Sequence, residues 1–406
     1  MSSRPATASV RSVDEYRDSI EQLLRPLAAR PVESVPVPAA LGRQTADDVA
    51  ALIDLPVFRN SAMDGYAVRA EDVADTPVTL PLSGTIAAGD PGREPLAPGT
   101  ARKVMTGAPL PEGADCVVPV EDTRTEGGAV VIEQSRHRGD FVREPGTDVR
   151  AGAPLVPAGI TLAPRHIAAL AAVGLPTVRV FQPIQAAIIT TGDELVSAGN
   201  ALRPGQIYDS NGIALAAALI ANGVEVTGVE HSADDPVVFR RLLTAATESA
   251  DLVFTSGGVS KGDFEVVKEA LAPLGGWFGP VAVQPGGPQG LTVVNGVPVL
   301  SFPGNPVSTM VSFEVFARPI LRRLSGLPAV AVFEVPLRET VRSPGGRRQF
   351  LRGRLVHAAG LPESVEVVAG PGSHLIASMA AADVLIDIPA EVTELAEGAT
   401  VRVWSL

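Results

Sequence analysis

The sequence predicts a multidomain α/β protein: a doubly wound α/β domain, preceded by a β-rich N-terminal region and followed by a small β domain. Three observations carry this. From Phe181 onward, short apolar runs alternate with amphipathic stretches, the rhythm of strand and helix in a parallel sheet. Before that point, residues 31–160 are rich in Val, Gly and Pro, with brief apolar runs between turn residues. From about residue 327, strand-like runs return around a Pro344-Gly345-Gly346 turn. The expected domain limits are 1–180, 181–326 and 327–406.

Taken in order, Ser12 and Glu15 form a capping-box pattern ahead of Tyr16, Ile20, Leu23 and Leu24, which predicts an amphipathic helix over 13–27. Runs 115–120 and 129–132 read as strands, and 164–173 as a short helix stopped by Gly174. In the α/β segment, the apolar run 184–189 leads into Thr190-Thr191-Gly192-Asp193-Glu194. A helix at 212–221 ends at Asn222-Gly223, a strand follows at 224–229 and a helix at 236–248. Strand 251–255 runs into Ser256-Gly257-Gly258, and a helix occupies 264–271. Strand 299–302 is followed by Pro303-Gly304-Asn305-Pro306 and a helix to about Leu324. In the last segment, 331–341 and 349–356 are expected to pair as a hairpin.

The bulk numbers exclude several classes. Hydrophobic residues are 46% of the 406 but aromatics only 4%, so the core is aliphatic. A net charge of −12 argues against a general nucleic-acid partner. Cys116 is the only cysteine, which rules out an intramolecular disulfide and suits a reducing cytoplasm. No apolar run reaches the roughly 18 residues of a membrane helix, so no membrane partner is expected. The histidines are scattered, with no HExxH or CxxC, so any metal is expected to be a hard ion such as Mg²⁺ held by carboxylates.

Chemistry concentrates in loops. Asn60-Ser61-Ala62-Met63-Asp64-Gly65-Tyr66-Ala67 places Asp64 where it can hold a metal or polarise water, though it also reads as an Asx turn. In Met105-Thr106-Gly107-Ala108, Thr106 can donate to an oxyanion, or the segment is a plain loop. Thr191, Gly192, Asp193 and Glu194 stand at a strand end, where α/β sheets bind ligands; a helix N-cap is the plainer reading. In Ser256-Gly257-Gly258-Val259-Ser260-Lys261-Gly262-Asp263, paired glycines let the backbone curl into an anion-binding nest, with Ser256, Ser260 and Lys261 as added donors and Asp263 as a metal or capping carboxylate. It is neither a Walker P-loop nor a GxGxxG dinucleotide fingerprint. Pro303, Asn305, Pro306 and Ser308 form a rigid loop entering a helix. Arg342, Arg347, Arg348, Arg352 and Arg354 form either a phosphate grip or a solvated strand face. Ser373, in Gly372-Ser373-His374, can contact an anion.

In their order, NSAMDGYA, MTGAPLP, the Arg143/Gly146/Asp148 element, TTGDEL, SGGVSKGD, FPGNPVS and GRRQFLRGR resemble the MoeA family of molybdopterin molybdenumtransferases, relatives of the C-terminal domain of gephyrin. The resemblance runs from about Val13 to Arg402. It implies an interleaved N-terminal region, a MogA-like α/β domain, a small C-terminal β-barrel and a homodimer whose site lies between subunits. It implies adenylated molybdopterin and molybdate as substrates, Mg²⁺ as the divalent cation, and AMP as a product. Contacts with molybdopterin adenylyltransferase and apo-molybdoenzymes are implied as well. Carried over residue by residue, Asp64, Thr106, Glu194, Asp234 and Asp263 take the catalytic positions, with Asp64, Glu194 and Asp263 toward the metal. Pro303 and Pro306 match the rigid loop, Arg348 or Arg347 the arginine tract, and Ser373 the serine turn.

One departure stands out. Where the family carries lysine in a PGKP turn, often with another just before it, this chain has Gly287 and Gln284. Two further readings follow from the same residues. The α/β module also suits molybdopterin adenylyltransferase, which the long N-terminal half opposes. A degenerate paralogue or gephyrin-like scaffold is the non-enzymatic case, which the retained carboxylates oppose.

Overall fold

The computed structural model describes residues 9–91, 94–260, 265–358 and 360–406. The chain divides into two units: one takes the chain up to Glu33, Gly42–Gln44 and Phe181–Leu406, the other Ser34–Leu41 and Thr45–Val180. No helix among the described residues is long and apolar enough to cross a membrane.

The first unit is built on a six-stranded sheet in the order Val224–Ser232, Ile184–Thr191, Leu252–Ser256, Val297–Phe302, Pro288–Val294, Trp277–Pro280. The first four strands are parallel, as the alternating pattern predicts. The last two run antiparallel and extend one edge, an addition the alternation does not reveal. Strand period two decides the packing. Ile184, Ala186 and Ile188 enter one apolar cluster with Leu215 and Leu219 of helix Asn211–Ala221. Ala187 and Ile189 enter the opposite cluster with Phe239 and Leu243 of helix Pro236–Ser249. Both faces are covered, which is the doubly wound arrangement.

The helix expected to run to Leu324 is interrupted. It is α-helical over Pro306–Ser312, widens to a π turn over Phe313–Ala317, and resumes over Arg318–Leu324. Pro319 has no N–H to give the carbonyl one turn back, and the wider turn absorbs that loss.

The C-terminal strands run in the order Val283–Gln284, Arg348–Ala358, Val384–Ile388, Thr400–Ser405, Val332–Pro336, with Leu361–Val367 also paired to Arg348–Ala358. A bridge between Leu337 and Val365, with the Arg338 N–H donating to Val365 O at 3.0 Å, joins the edges into a small barrel around Val335, Leu351, Val365, Ile386 and Val403. The hairpin expected between 331–341 and 349–356 does not form. Val332–Pro336 pairs with Thr400–Ser405, and Val341–Arg342 with Glu394–Leu395. Arg348–Ala358 turns back onto Leu361–Val367 instead. Alternation identifies a strand but leaves its partner open.

The capping box forms as predicted: the Glu15 N–H donates to Ser12 Oγ at 3.1 Å and the Ser12 N–H to Glu15 Oε2 at 2.7 Å. The helix runs Val13–Leu24 and gives way to a 3₁₀ turn over Arg25–Ala29, where Pro26 removes a donor. Its buried face, Val13, Tyr16, Ile20 and Leu24, joins the cluster that holds Ile188, Phe254, Phe316 and Trp404. The Tyr16 hydroxyl donates to Gly290 O at 3.2 Å.

The second unit centres on a six-stranded sheet in the order Cys116–Pro119, Gly65–Val68, Ala101–Val104, Val78–Ile86, Ala129–Ile132, Thr123–Glu126. Helix Pro164–Ala172 packs Leu170 with Val37, Leu162, Val178 and Val180.

Candidate active site

In the first unit, strands Ile184–Thr191, Leu252–Ser256 and Val297–Phe302 are neighbours, so the three loops at their carboxyl ends lie side by side. Between them opens a cavity of ≈ 750 Å³. Its wall includes Thr191, Gly192, Glu194, Asp234, Ser256, Gly257, Gly258 and Ser260. Pro303, Asn305, Pro306, Ser308 and Ser373 line it as well. The structure thus brings these sequence-predicted positions to one place. Lys261 and Asp263 lie outside the described residues.

The loops fit by backbone contact. The Gly257 N–H donates to Phe302 O at 3.1 Å. Gly257 has φ +102°, and a Cβ there would stand 2.6 Å from Thr191 Oγ1, so only glycine lets the two loops meet. The Thr191 side chain is almost fully buried, and its hydroxyl finds no partner among the described residues. The Gly257 backbone lies against that hydroxyl. The Ser373 carbonyl accepts the Val307 N–H at 3.1 Å, which ties the serine turn to the helix start.

Two carboxylate positions are fixed by loop geometry. Asp193 Oδ1 accepts the Asp234 N–H at 3.0 Å, and Asp234 Oδ2 accepts the Asp193 N–H at 3.4 Å, a reciprocal clamp between two strand-end loops. Asp235, not Asp234, caps helix Pro236–Ser249, which leaves Asp234 facing the cavity. Glu194 lies beside Gly192, and the segment is not a helix N-cap: Leu195–Val196 continues as a short strand paired with Ile207–Tyr208. The wall carries Glu194, Asp209, Asp234 and Glu265, and no Lys or Arg among the described residues. No cluster of three or more His, Cys, Asp or Glu forms a ready-made metal cage among them.

Asp209 and Asn211 also line the cavity, and sequence reasoning passed over both. Asp209 accepts from Thr190 Oγ1 at 2.6 Å and from the Gly212 N–H at 3.1 Å. The available signal was the turn-rich run Asp209-Ser210-Asn211-Gly212 just before a helix.

The arginine tract is placed differently from expectation. Arg347 is exposed and lines no part of the cavity. Arg348 is engaged in a separate cavity of ≈ 560 Å³, bonded through Nε and a terminal nitrogen to Asp387 at 2.7 and 2.6 Å. Arg342 pairs with Glu394, Arg354 with Glu366, and the buried Arg352 donates to the Gly370 and Gly372 carbonyls. These cations satisfy local carboxylates and carbonyls of the barrel, because the expected hairpin that would have presented them together is not made.

In the second unit, Asp64 and Thr106 form a pair of their own. Asp64 Oδ1 accepts the Thr106 N–H at 2.6 Å and its hydroxyl at 2.8 Å. The Gly107 N–H donates to Ser61 O at 2.8 Å and the Val120 N–H to Asp64 O at 3.1 Å, so both loops are anchored. The Thr106 amide first, and its hydroxyl second, hold the Asp64 carboxyl below the usual carboxylate range.

Residues 11–174 match the MoeA N-terminal region (domain I and II), 187–323 a probable molybdopterin binding domain, and 334–406 the MoeA C-terminal region (domain IV). The chain is 43% identical over 410 residues to molybdopterin molybdenumtransferase 2 of Mycobacterium tuberculosis, covering 98% of this chain and 100% of that one. It is 38% identical over 386 residues to the molybdopterin molybdenumtransferase of a Nostoc species, covering 92% of this chain and 88% of that one. Among solved structures, a molybdopterin biosynthesis MoeA protein of Pyrococcus horikoshii superposes with a TM-score of 0.82 at 33% identity, over 98% of this chain and 99% of that one.

Proposed function

The chain belongs to the MoeA family of molybdopterin molybdenumtransferases, and from that premise we propose that it inserts molybdate into adenylated molybdopterin, releasing AMP. The observation that carries the proposal is the strand-end cavity, lined by Thr191, the Gly257-Gly258 turn and the carboxylates Glu194 and Asp234.

Phosphoanhydride cleavage needs charge neutralisation across the phosphates, donors for the developing charge and a positioned water. The Gly257 and Ser260 amides are taken by Phe302 O and Glu265 Oε2, so the Gly258 amide and the Ser260 hydroxyl supply the donors. Glu194 and Asp234 would hold Mg²⁺ with Asp263; when bound, the cation offsets phosphate charge and polarises water. Pro303, Asn305, Pro306, Ser308 and Ser373 line the same cavity and would fix the ligand's orientation. We assign Asp64 and Thr106 to the same reaction, contributed by a second copy in a homodimer. A depressed carboxyl pKa keeps Asp64 ionised for cation or water contact.

The test is molybdate- and Mg²⁺-dependent AMP release from adenylated molybdopterin by the purified protein, with Asp64→Ala alongside. AMP that appears only with molybdate, and is lost in the variant, supports the proposal. Substrate binding without AMP release favours the second reading, a degenerate paralogue, for which Gly287 and Gln284 in place of lysines are the specific observation.

A further inference from the structure

Asn211 opens helix Asn211–Ala221 at the edge of the cavity, and its side-chain nitrogen reaches two loops at once. Asn211 Nδ2 lies 2.9 Å from Ser256 Oγ and 2.7 Å from Gly304 O. A carbonyl only accepts, so the amide must turn its NH₂ toward Gly304. The second N–H then points at Ser256, whose oxygen accepts it. At the far end, Thr309 Oγ1 lies 2.6 Å from Pro303 O, and that carbonyl takes the threonine proton. Ser256, its oxygen already accepting from Asn211, gives its proton to Thr309 Oγ1 at 3.2 Å or to the Pro303 carbonyl at 3.4 Å. In either case the order runs from Asn211 to Ser256 and on to the Thr309–Pro303 end, and the Ser256 proton stays within the protein. The chain is shielded from water, with Asn211 at 9% exposure, Ser256 at 2% and Thr309 at 0%.

We propose that Asn211 is a positioning residue of this site. It fixes the spacing between the Ser256-Gly257-Gly258 and Pro303-Gly304-Asn305-Pro306 loops, and it turns the Ser256 proton into the protein. Ser256 then has no hydroxyl proton for a substrate phosphate. The donors left on this loop for the phosphate are the Gly258 amide and the Ser260 hydroxyl. The family resemblance does not single out Asn211, and this inference rests on the cavity being the substrate site.

Asn211→Asp keeps the shape and removes both donors. The new carboxylate repels Gly304 O and draws the Ser256 proton toward itself, reversing the chain. Ser256→Ala is the milder partner, since it cuts the chain and leaves the Asn211–Gly304 bond. With adenylated molybdopterin as substrate, each variant is expected to lose about tenfold in kcat/KM, and the double variant no more than the worse single one, because residues acting as a unit are not additive. Asn211→Asp is also expected to weaken AMP binding by calorimetry. Melting curves taken alongside separate this from a structural role. Variants with a lowered melting temperature but unchanged kcat and KM below it overturn the inference, and so do fully additive losses. A wild-type protein that neither turns over nor binds AMP sinks the functional reading and this inference with it. A wild-type protein that turns over beside an Asn211→Asp variant of unchanged kcat and KM sinks the inference alone.

Discussion

Arg348 grips Asp387 with two nitrogens, one on each carboxylate oxygen, and the Trp404 indole N–H donates to the same carboxylate at 3.1 Å. The Asp387 side chain is only 3% exposed. An arginine so committed supports the barrel rather than reaching for a substrate. Arg348→Met strands a buried carboxylate and is expected to destabilise the protein by about 3–5 kcal/mol. Urea denaturation measures that, and a turnover assay is expected to show unchanged activity per folded molecule. Normal stability with lost turnover would return Arg348 to the substrate site.

Asp64 gives a pH prediction. Its carboxyl is held low mainly by the Thr106 amide and secondarily by the hydroxyl. A depressed acid contributes stability that is present above its unfolded pKa and lost as pH falls through the lower folded value. Asp64 is therefore ionised throughout the neutral and mildly acidic range. Thr106→Ala removes the hydroxyl and keeps the amide, so the titration is expected to move up only part of the way, as followed by carboxyl NMR. A return to the ordinary aspartate value would mean the amide bond contributes nothing. Asp64→Asn is expected to cost on the order of 10²-fold in kcat, the scale of a lost acid–base or water-orienting group.

Cys116 is buried at the start of the edge strand Cys116–Pro119 of the second unit's sheet, its thiol 3.8 Å from Val68 O. Burial, then the nearby Asp115 and Asp140 charges, push the thiol from its ordinary 9.0 up to about 12. Native protein at pH 8 is expected to resist alkylation and to react only in denaturant. The sign of the linkage runs against alkali: stability falls as pH rises above 9.0, where the unfolded thiol ionises and the folded one does not. Rapid labelling of native protein at pH 8 would contradict the assignment.

Gly287 sits in a turn whose backbone accepts a side chain. An added Cβ would meet Val281 O at 3.5 Å and Val283 O at 3.8 Å, both ordinary contacts. Gly287→Lys is expected to fold normally and to tighten molybdate binding roughly fivefold, the scale of one added charge acting at about 4 Å through water. Calorimetric titration with molybdate decides it; an unchanged affinity means this turn does not meet the anion.

Much of this was legible in the sequence, for identifiable reasons. The capping residues Ser12 and Glu15 act over four residues, so a local pattern suffices. The strand-end loops after Thr191, Ser256 and Phe302 converge because parallel strands share one carboxyl end, a topological consequence of alternation. Pairing between distant segments was less legible. Val332–Pro336 finds Thr400–Ser405 across most of the last segment, and no local signal distinguishes that partner from the nearer one. The partners of the arginines were illegible for the same reason, since Asp387, Glu394 and Glu366 lie on strands whose pairing no local signal gives. Asn211 was missed because a lone amide before a helix looks like a cap; its role depends on Gly304, 93 residues away.

The helix Val13–Leu24 has a consequence for how the protein is made. It leaves the ribosome well before Phe316 and Trp404, with which its buried face packs in one cluster. Until those segments emerge, Tyr16, Ile20 and Leu24 have no finished core to enter, and the nascent chain carries an apolar stripe in the open. Closure of this core is thus a late event, and the early stripe is a natural place for a chaperone to hold.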